Sequence, residues 1–283
     1  MSLATNVSPA PPPELRFRRR IRPSTAMREL WQARELVRAL VERQLRARYK
    51  QAILGFAWAV IPPLVLMVVL SVFVQRVVNI PTGGIPYPLF SYVALVPWTF
   101  FASSVTAAGG SILGSMDLIN KVYSPREAFP LASILTAGVD ALVGLVALGI
   151  LFAVYTFLPK ATSVWIAVLL VVQVVFTVGV SLIVSALVVY LRDLRHALPV
   201  IIQLGFFATP IAYGIDQIPR PLRLIYSALN PLAPVIDGYR RVVLLGQLPS
   251  WGLLLAGATT SFVLLAVGFM VFKRLETGFA DVT

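Results

Sequence analysis

The sequence has no cysteine and a single histidine, His196. The first absence removes disulfides, zinc thiolates, iron–sulfur clusters and thiol nucleophiles together. The second argues against an intramembrane serine protease, which needs a serine and a histidine at depth. His196 reads as a solvated loop residue. Charge is scarce as well: 13% of residues are Asp, Glu, Lys or Arg, against about a quarter in soluble domains. The aspartates Asp117, Asp140, Asp193, Asp216, Asp237 and Asp281 are isolated. They form no cluster to hold magnesium and pyrophosphate, which weighs against a prenyl-transfer enzyme. No G-x-x-x-x-G-K-[ST] run occurs, so any ATP that drives this protein is hydrolysed on another chain. No catalytic residue and no metal site is expected.

What the sequence has is apolar bulk. Hydrophobic residues make up 58% of the chain, and the mean hydropathy is +0.84. Runs of about 20 apolar residues call for a bilayer as solvent. The net charge of +12 reads as membrane topology rather than nucleic-acid binding, because cytoplasmic loops collect Lys and Arg. Residues 1–25 carry Pro9, Pro11, Pro12 and Pro13 beside Arg16, Arg18, Arg19, Arg20 and Arg22. They lack an apolar core, so they are expected to be a disordered cytoplasmic tail and not a cleavable signal.

Residues 26–50 predict an amphipathic helix. Leu30, Val37, Leu40, Val41 and Leu45 fall near one stripe, and Arg28, Glu35, Arg38, Glu42 and Arg46 oppose them. Such a helix lies flat in the membrane interface with Trp31 at headgroup depth, or packs on a partner. A transmembrane domain over 51–275 follows, with spans expected near 53–75, 88–112, 131–157, 163–190, 197–214 and 252–272. The stretch 215–250 is too interrupted by proline to span. It predicts two short helices, near 219–229 and 234–245, as an outer re-entrant hairpin. Residues 276–283 form a cytoplasmic tail. Both termini are placed inside because this orientation puts most Lys and Arg on the cytoplasmic side. The expected fold is all-α: a polytopic membrane protein with about six transmembrane helices.

Several residues stand out within that frame. Asp140 is an acid inside a span, so it faces protein or water, or snorkels from near a span end. Arg220, Arg223, Arg240 and Arg241 gather in the outer hairpin against the positive-inside trend. They could bind phosphate bidentately, or pair with Asp216, Asp237 and lipid headgroups. Trp98, Phe100 and Phe101 could stack on sugars or form an interfacial aromatic belt.

Five segments converge on one resemblance. Leu45 to Trp58 contains Arg46-Ala47-Arg48-Tyr49-Lys50. Leu118 to Glu127 contains Lys121-Val122-Tyr123-Ser124-Pro125-Arg126-Glu127. The others are Arg192-Asp193-Leu194-Arg195-His196 with Thr209-Pro210-Ile211 and Tyr213, then Asn230-Pro231-Leu232, then Leu275-Glu276 with Phe279-Ala280-Asp281-Val282. In this order they resemble the membrane subunits of ABC exporters for polysaccharides and polyol phosphates: the O-antigen, capsule, teichoic-acid and cell-wall-galactan exporters.

The resemblance implies a homodimer in the bacterial cytoplasmic membrane, with a channel at the dimer interface. Two copies of a separate ATPase subunit, which bind ATP and magnesium, would dock on the cytoplasmic side. The substrate would be a polymer on a polyprenyl pyrophosphate carrier. Lys121, Tyr123, Arg126 and Glu127 would then couple to the ATPase. Trp31, Arg38, Arg46, Arg48 and Lys50 would lie on a gate helix. Trp98, Phe101, Asp140, Arg220, Arg240 and Arg241 are the candidate substrate contacts. Reversing Arg126 and Glu127 together is expected to uncouple export while leaving the protein folded. Rival readings are a permease for a small molecule such as a drug or haem, and an ATP-independent lipid scramblase.

Overall fold

The computed structural model describes residues 23–50, 55–77, 82–121 and 124–279. Among these every regular element is a helix: α1 (Pro23–Gln32), α2 (Arg34–Tyr49), α3 (Ala57–Val77), α4 (Tyr87–Ser111), α5 (Met116–Lys121), α6 (Ala128–Val154), α7 (Ile166–Tyr190), α8 (Leu194–Ala208), α9 (Arg223–Leu229), α10 (Leu232–Arg240) and α11 (Trp251–Leu275). Four stretches are long and apolar enough to cross a membrane: Tyr87–Ser111, Ala128–Val154, Ala161–Tyr190 and Trp251–Gly278. Two more apolar helices are shorter, Ala57–Phe73 and Leu194–Ala208. Residues 1–22 of the N-terminal tail and the residues Tyr123, Asp281 and Val282 lie outside the described residues, while 23–25, expected in the tail, open α1.

The bundle is built around α4. Of its most apolar window 78% is buried, against 17% for the corresponding window of α6. That difference decides which helix is core and which presents its surface outward. α4 packs on α6, α7 and α3, and α7 packs along α11. The α7–α11 crossing is set by glycine: a Cβ on Gly268 would stand 2.4 Å from the Gly179 carbonyl oxygen, and one on Gly179 2.7 Å from the Leu265 nitrogen. Removing side chains at both positions lets two backbones touch, the device by which helices associate where lipid supplies no hydrophobic drive.

Among the described residues buried apolar side chains form two larger cores and a small third cluster of Phe100, Ile134 and Ala137. The larger gathers Tyr92, Leu95 and Trp98 of α4 with Leu169 and Phe176 of α7 and Ile236 of α10. The second sits at the opposite end from α9–α10 and collects Leu40, Ile112, Phe129, Leu182, Phe272 and Phe279. This second end carries α1, α2 and the last described turn, and is called the terminal end below. The other is the hairpin end.

The amphipathic segment differs from its expected form. It breaks at Ala33 into α1 and α2. Its apolar stripe, Leu36, Val37, Leu40 and Val41, is turned onto the second core. α2 then climbs α6 in steps of four. Gln44 donates to Ser133 Oγ at 3.3 Å and accepts from Thr136 Oγ1 at 3.0 Å. One turn on, Arg48 pairs with Asp140 and the Tyr49 hydroxyl donates to it at 2.6 Å. The helix therefore packs beside the first turns of α6, and the protein covers the stripe that sequence reasoning assigned to lipid or to a separate partner. Its outer face keeps the expected i,i+4 ion pairs, Arg38–Glu42 and Arg46–Glu42, both at 3.4 Å.

Candidate functional site

The terminal end brings together residues that are far apart in sequence. Glu127 is the N-cap residue of α6, where a carboxylate meets the positive end of the helix dipole. It is 2% exposed and pairs with Lys273, near the end of α11. The Lys273 ammonium also reaches both Glu276 carboxylate oxygens at 3.1 Å. Arg126 donates to the Glu276 carbonyl and lies 5.7 Å from the centre of the Phe279 ring. Tyr190, closing α7, donates to the Leu275 carbonyl at 2.7 Å. Phe279 is fully buried, with its ring 5.8 Å from that of Phe272 and 6.1 Å from that of Tyr190. Leu118 and Ile119 of α5 pack on the same core as Phe279. Arg126 and Glu127 before α6 thus share one charge cluster with the end of α11 and the last described turn, and α2 and α5 pack into the small core beside it.

A cavity of about 310 Å³ lies between α2, α3, α4 and α6. Its walls include Arg48, Tyr49, Asp140, Trp58, Ala59, Pro62 and Pro63. α3 runs unbroken through the two prolines. Because proline has no N–H, Pro62 and Pro63 leave the carbonyls of Trp58 and Ala59 without a helical donor. The cavity therefore has a polar wall made by sequence as well as an ion pair. Burial first, and then the Asp140 carboxylate, pushes the Tyr49 phenol above its ordinary range.

At the hairpin end α8 stops at Ala208, and Pro210 cannot continue its ladder. The carbonyls this leaves are met by side chains. Tyr226 and Asn230 donate to the Ala208 carbonyl, and Asn230 also to Thr209 Oγ1 at 2.9 Å. Arg240 donates to the carbonyls of Pro210 at 2.7 Å, Tyr213 at 2.8 Å and Phe90 at 3.0 Å, and to that of Ile211. Its guanidinium stands 3.7 Å from the centre of the Phe90 ring. Tyr87 donates to the Ala212 carbonyl at 2.8 Å.

The profile of one family, the ABC-2 type transporters, matches residues 35–244, from α2 through the hairpin. The chain belongs to the ABC-2 type transporter family. It is 32% identical over 258 residues to the O-antigen export system permease protein RfbA of Myxococcus xanthus, covering 90% of this chain and 98% of that protein. The RfbA of Klebsiella pneumoniae is 32% identical over 249 residues, covering 88% and 95%. The polysialic acid transport protein KpsM of Escherichia coli is 22% identical over 241 residues, covering 85% and 93%.

Within this ABC-2 chain the residues singled out from sequence divide by position. Trp31, Arg38, Arg46, Arg48 and Lys50 are exposed on α1 and α2 or just after them. Lys121 closes α5, and its side chain lies outside the described residues, as does all of Tyr123. Arg126 and Glu127 are engaged in the cluster above, so reversing both is not a surface exchange: it would set an arginine against Lys273 in a buried site. The expectation that the doubly reversed protein stays folded is corrected on that ground. Asp140 is held by α2.

At the other end Trp98 and Phe101 are core rings and not belt or sugar-facing ones. Trp98 is 5.8 Å from Phe206, and Phe101 stacks on Phe176 at 5.2 Å. Arg240 is 3% exposed, with its donors turned to carbonyls. Arg223 pairs with Asp216 at 3.1 Å and Arg241 with Asp237 at 3.3 Å. Arg220 is exposed.

Sequence reasoning missed Lys273, Gln44 and Gln173. Gln173 donates to the Pro97 carbonyl and accepts from the Tyr239 hydroxyl, both at 2.8 Å. A lone amide inside an apolar run was the available signal, because burying it requires partners.

Proposed function

We propose that this chain is the channel-forming permease subunit of an ATP-driven exporter that moves a lipid-linked polysaccharide or related glycopolymer across the bacterial cytoplasmic membrane. The observation that carries the reading is similarity along nearly the whole chain to permeases named for O-antigen export. Family membership supports the expectation of a separate ATPase subunit that binds ATP and magnesium, and this chain itself is not an enzyme.

In this reading α3 and α8 are the fifth and sixth spans, α9–α10 is an outer re-entrant hairpin, and both termini are cytoplasmic. The terminal end then faces the ATPase through α5 and the loop after it, where Lys121, Tyr123 and Arg126 lie. Two copies of the chain enclose the channel. The apolar face of α8 exposes Val200, Ile201, Leu204 and Phe207 and is available to lipid or to the second copy. α2 acts as the gate helix, with the cavity beside Arg48, Tyr49 and Asp140 next to it. Arg220 and Arg241 are the outer candidates for contact with an anionic group. Energy from ATP would reach the channel by a switch between packed states.

The test is a mild-detergent pull-down from the native membrane, followed by ATPase assay and by transport of carrier-linked glycan into inverted vesicles. The expected result is an ATPase subunit at equal stoichiometry and ATP-dependent uptake of the glycan. Recovery of the chain alone, with lipid movement that ignores ATP, would favour a scramblase. ATP-dependent uptake of a drug or haem but not of glycan would favour the small-molecule permease.

A further inference from the structure

We propose that the last described turn of the chain, Leu275–Phe279 with Lys273, is a clasp that positions the α5–α6 loop for the ATPase, and that Lys273 is its positioning residue. The inference rests on the reading that an ATPase docks at the terminal end.

Three features support it. The first is the charge cluster. Lys273, Glu127 and Glu276 have side-chain exposures of 13%, 2% and 21%. Burying such charges costs more than an apolar filling of the same volume would. At the mouth of a helix bundle, where lysine could snorkel outward, an inward-facing ammonium between two carboxylates is better explained by specificity of placement than by stability. Arg126 with Glu127, and Lys273 with Glu276, each sum to zero, but the buried Glu127 carboxylate has its ion-pair partner, Lys273, across the contact between the two stretches.

The second feature is Phe279, which lies beyond the last apolar span and is nonetheless fully buried. It closes the small core against Phe272 and Tyr190 while Arg126 covers its ring. The third is the company this core keeps. Leu40 of α2, Ile112 at the end of α4, and Leu118 and Ile119 of α5 all pack there. A push on α5 from below would therefore reach the core that α2, α7 and α11 share. Without the clasp, α11 receives that push only indirectly.

The experiment uses the full chain, alone in nanodiscs and in its complex in proteoliposomes. Lys273→Met with Glu127→Met replaces the Glu127–Lys273 pair by apolar side chains of similar volume, a change that is often neutral for folding, while Arg126 remains as a cation beside Glu276. Since the chain has no cysteine, Asp117→Cys on the exposed face of α5 accepts a single nitroxide label. The clasp predicts a more mobile label on the double variant, with the thermal midpoint near that of the parent. In the complex it predicts continued ATP hydrolysis with glycan export per ATP reduced at least about fivefold, the lower end of usual coupling between sites. Phe279→Ala is expected to do the same.

An unchanged label spectrum, or an unchanged ratio of export to hydrolysis, would overturn the clasp. Unfolding of the double variant would show the pair to be a stability element and would also overturn it. If no ATPase is recovered at all, the functional reading fails, while the label measurement still decides whether the turn holds α5.

Discussion

Replacing Arg240 by methionine tests the account of the hairpin end most directly. The guanidinium donates to four backbone carbonyls, those of Phe90, Pro210, Ile211 and Tyr213. Three of these belong to the irregular stretch after α8, which has no helical donors of its own. Methionine fills much of the same volume and covers the Phe90 ring, but donates nothing. Leaving each buried carbonyl unmet costs about 1–3 kcal/mol. Recovering the solvation of a buried guanidinium offsets part of the total. Taking about 1 kcal/mol net per carbonyl gives a loss of roughly 4 kcal/mol. At roughly 2–4 °C per kcal/mol for a chain of this size, the thermal midpoint in nanodiscs should fall by about 8–16 °C.

Lysine at 240 should recover only part of this, because an ammonium lacks the planar fork that reaches carbonyls on two sides. Arg220→Met, on an exposed arginine of the same hairpin, is the control and should stay within about 0.5 kcal/mol of the parent. Hydrogen exchange should rise at 211–213 in the Arg240 variant and nowhere else at the hairpin end. A fall of less than about 2 °C with unchanged exchange there would refute the reasoning, because the carbonyls would then be finding other donors.

Four further perturbations probe the rest of the bundle. Gly268→Ala places a methyl 2.4 Å from the Gly179 carbonyl oxygen and should cost about 1–3 kcal/mol by overpacking, read as a lower midpoint. Gly149→Ala, with open space around it, should be neutral or stabilising by up to about 1 kcal/mol. Gln173→Leu severs the link from Tyr239 to the Pro97 carbonyl and should lower stability by about 1–3 kcal/mol. Removing Tyr239's hydroxyl in the same background, as Tyr239→Phe, should then add little, which a double-mutant cycle measures. For the α2–α6 contact, a cycle of Arg48→Met with Asp140→Asn should give a coupling of about 1 kcal/mol, since the half-exposed arginine is screened by solvent. A coupling of zero would mean that the Tyr49 hydroxyl alone holds the carboxylate.

The two ends of the molecule differ in what they ask of the proposed switch. At the hairpin end the buried Arg240 is tied to neutral backbone acceptors, and the ion pairs Arg223–Asp216 and Arg241–Asp237 are local to that end. The terminal end is tied by opposed charges on two stretches of chain, 126–127 and 273–276, and charge pairs of that kind can be re-formed with a different partner. This fits the proposed function, in which the terminal end meets another protein.

The residues alone sufficed for whatever a helix settles within itself. A helix in lipid satisfies its own backbone, so apolar length located the long helices near 88–112, 131–157, 163–190 and 252–272, and proline marked 215–250 as too interrupted for one long helix. The i,i+4 pairs around Glu42 are likewise local. Segments of the resemblance pointed to the family because they keep their order along the chain, which needs no coordinates.

Tertiary structure decided how those helices are rotated and what each charged group meets. A helix that is apolar all round reads the same whether it faces lipid or protein, so sequence could not tell that α4 is core and that Trp98 and Phe101 lie inside it. It gave six similar runs, but α8 has only 15 residues, about 22 Å of helix, and its end depends on side chains from the hairpin. Arg240 and Phe90, like Arg126 and Glu276, are separated by 150 positions. No local pattern encodes such a pair. Each exists because burial leaves an unmet charge or carbonyl too costly to keep, and only the packed fold determines which distant partner is near enough to meet it.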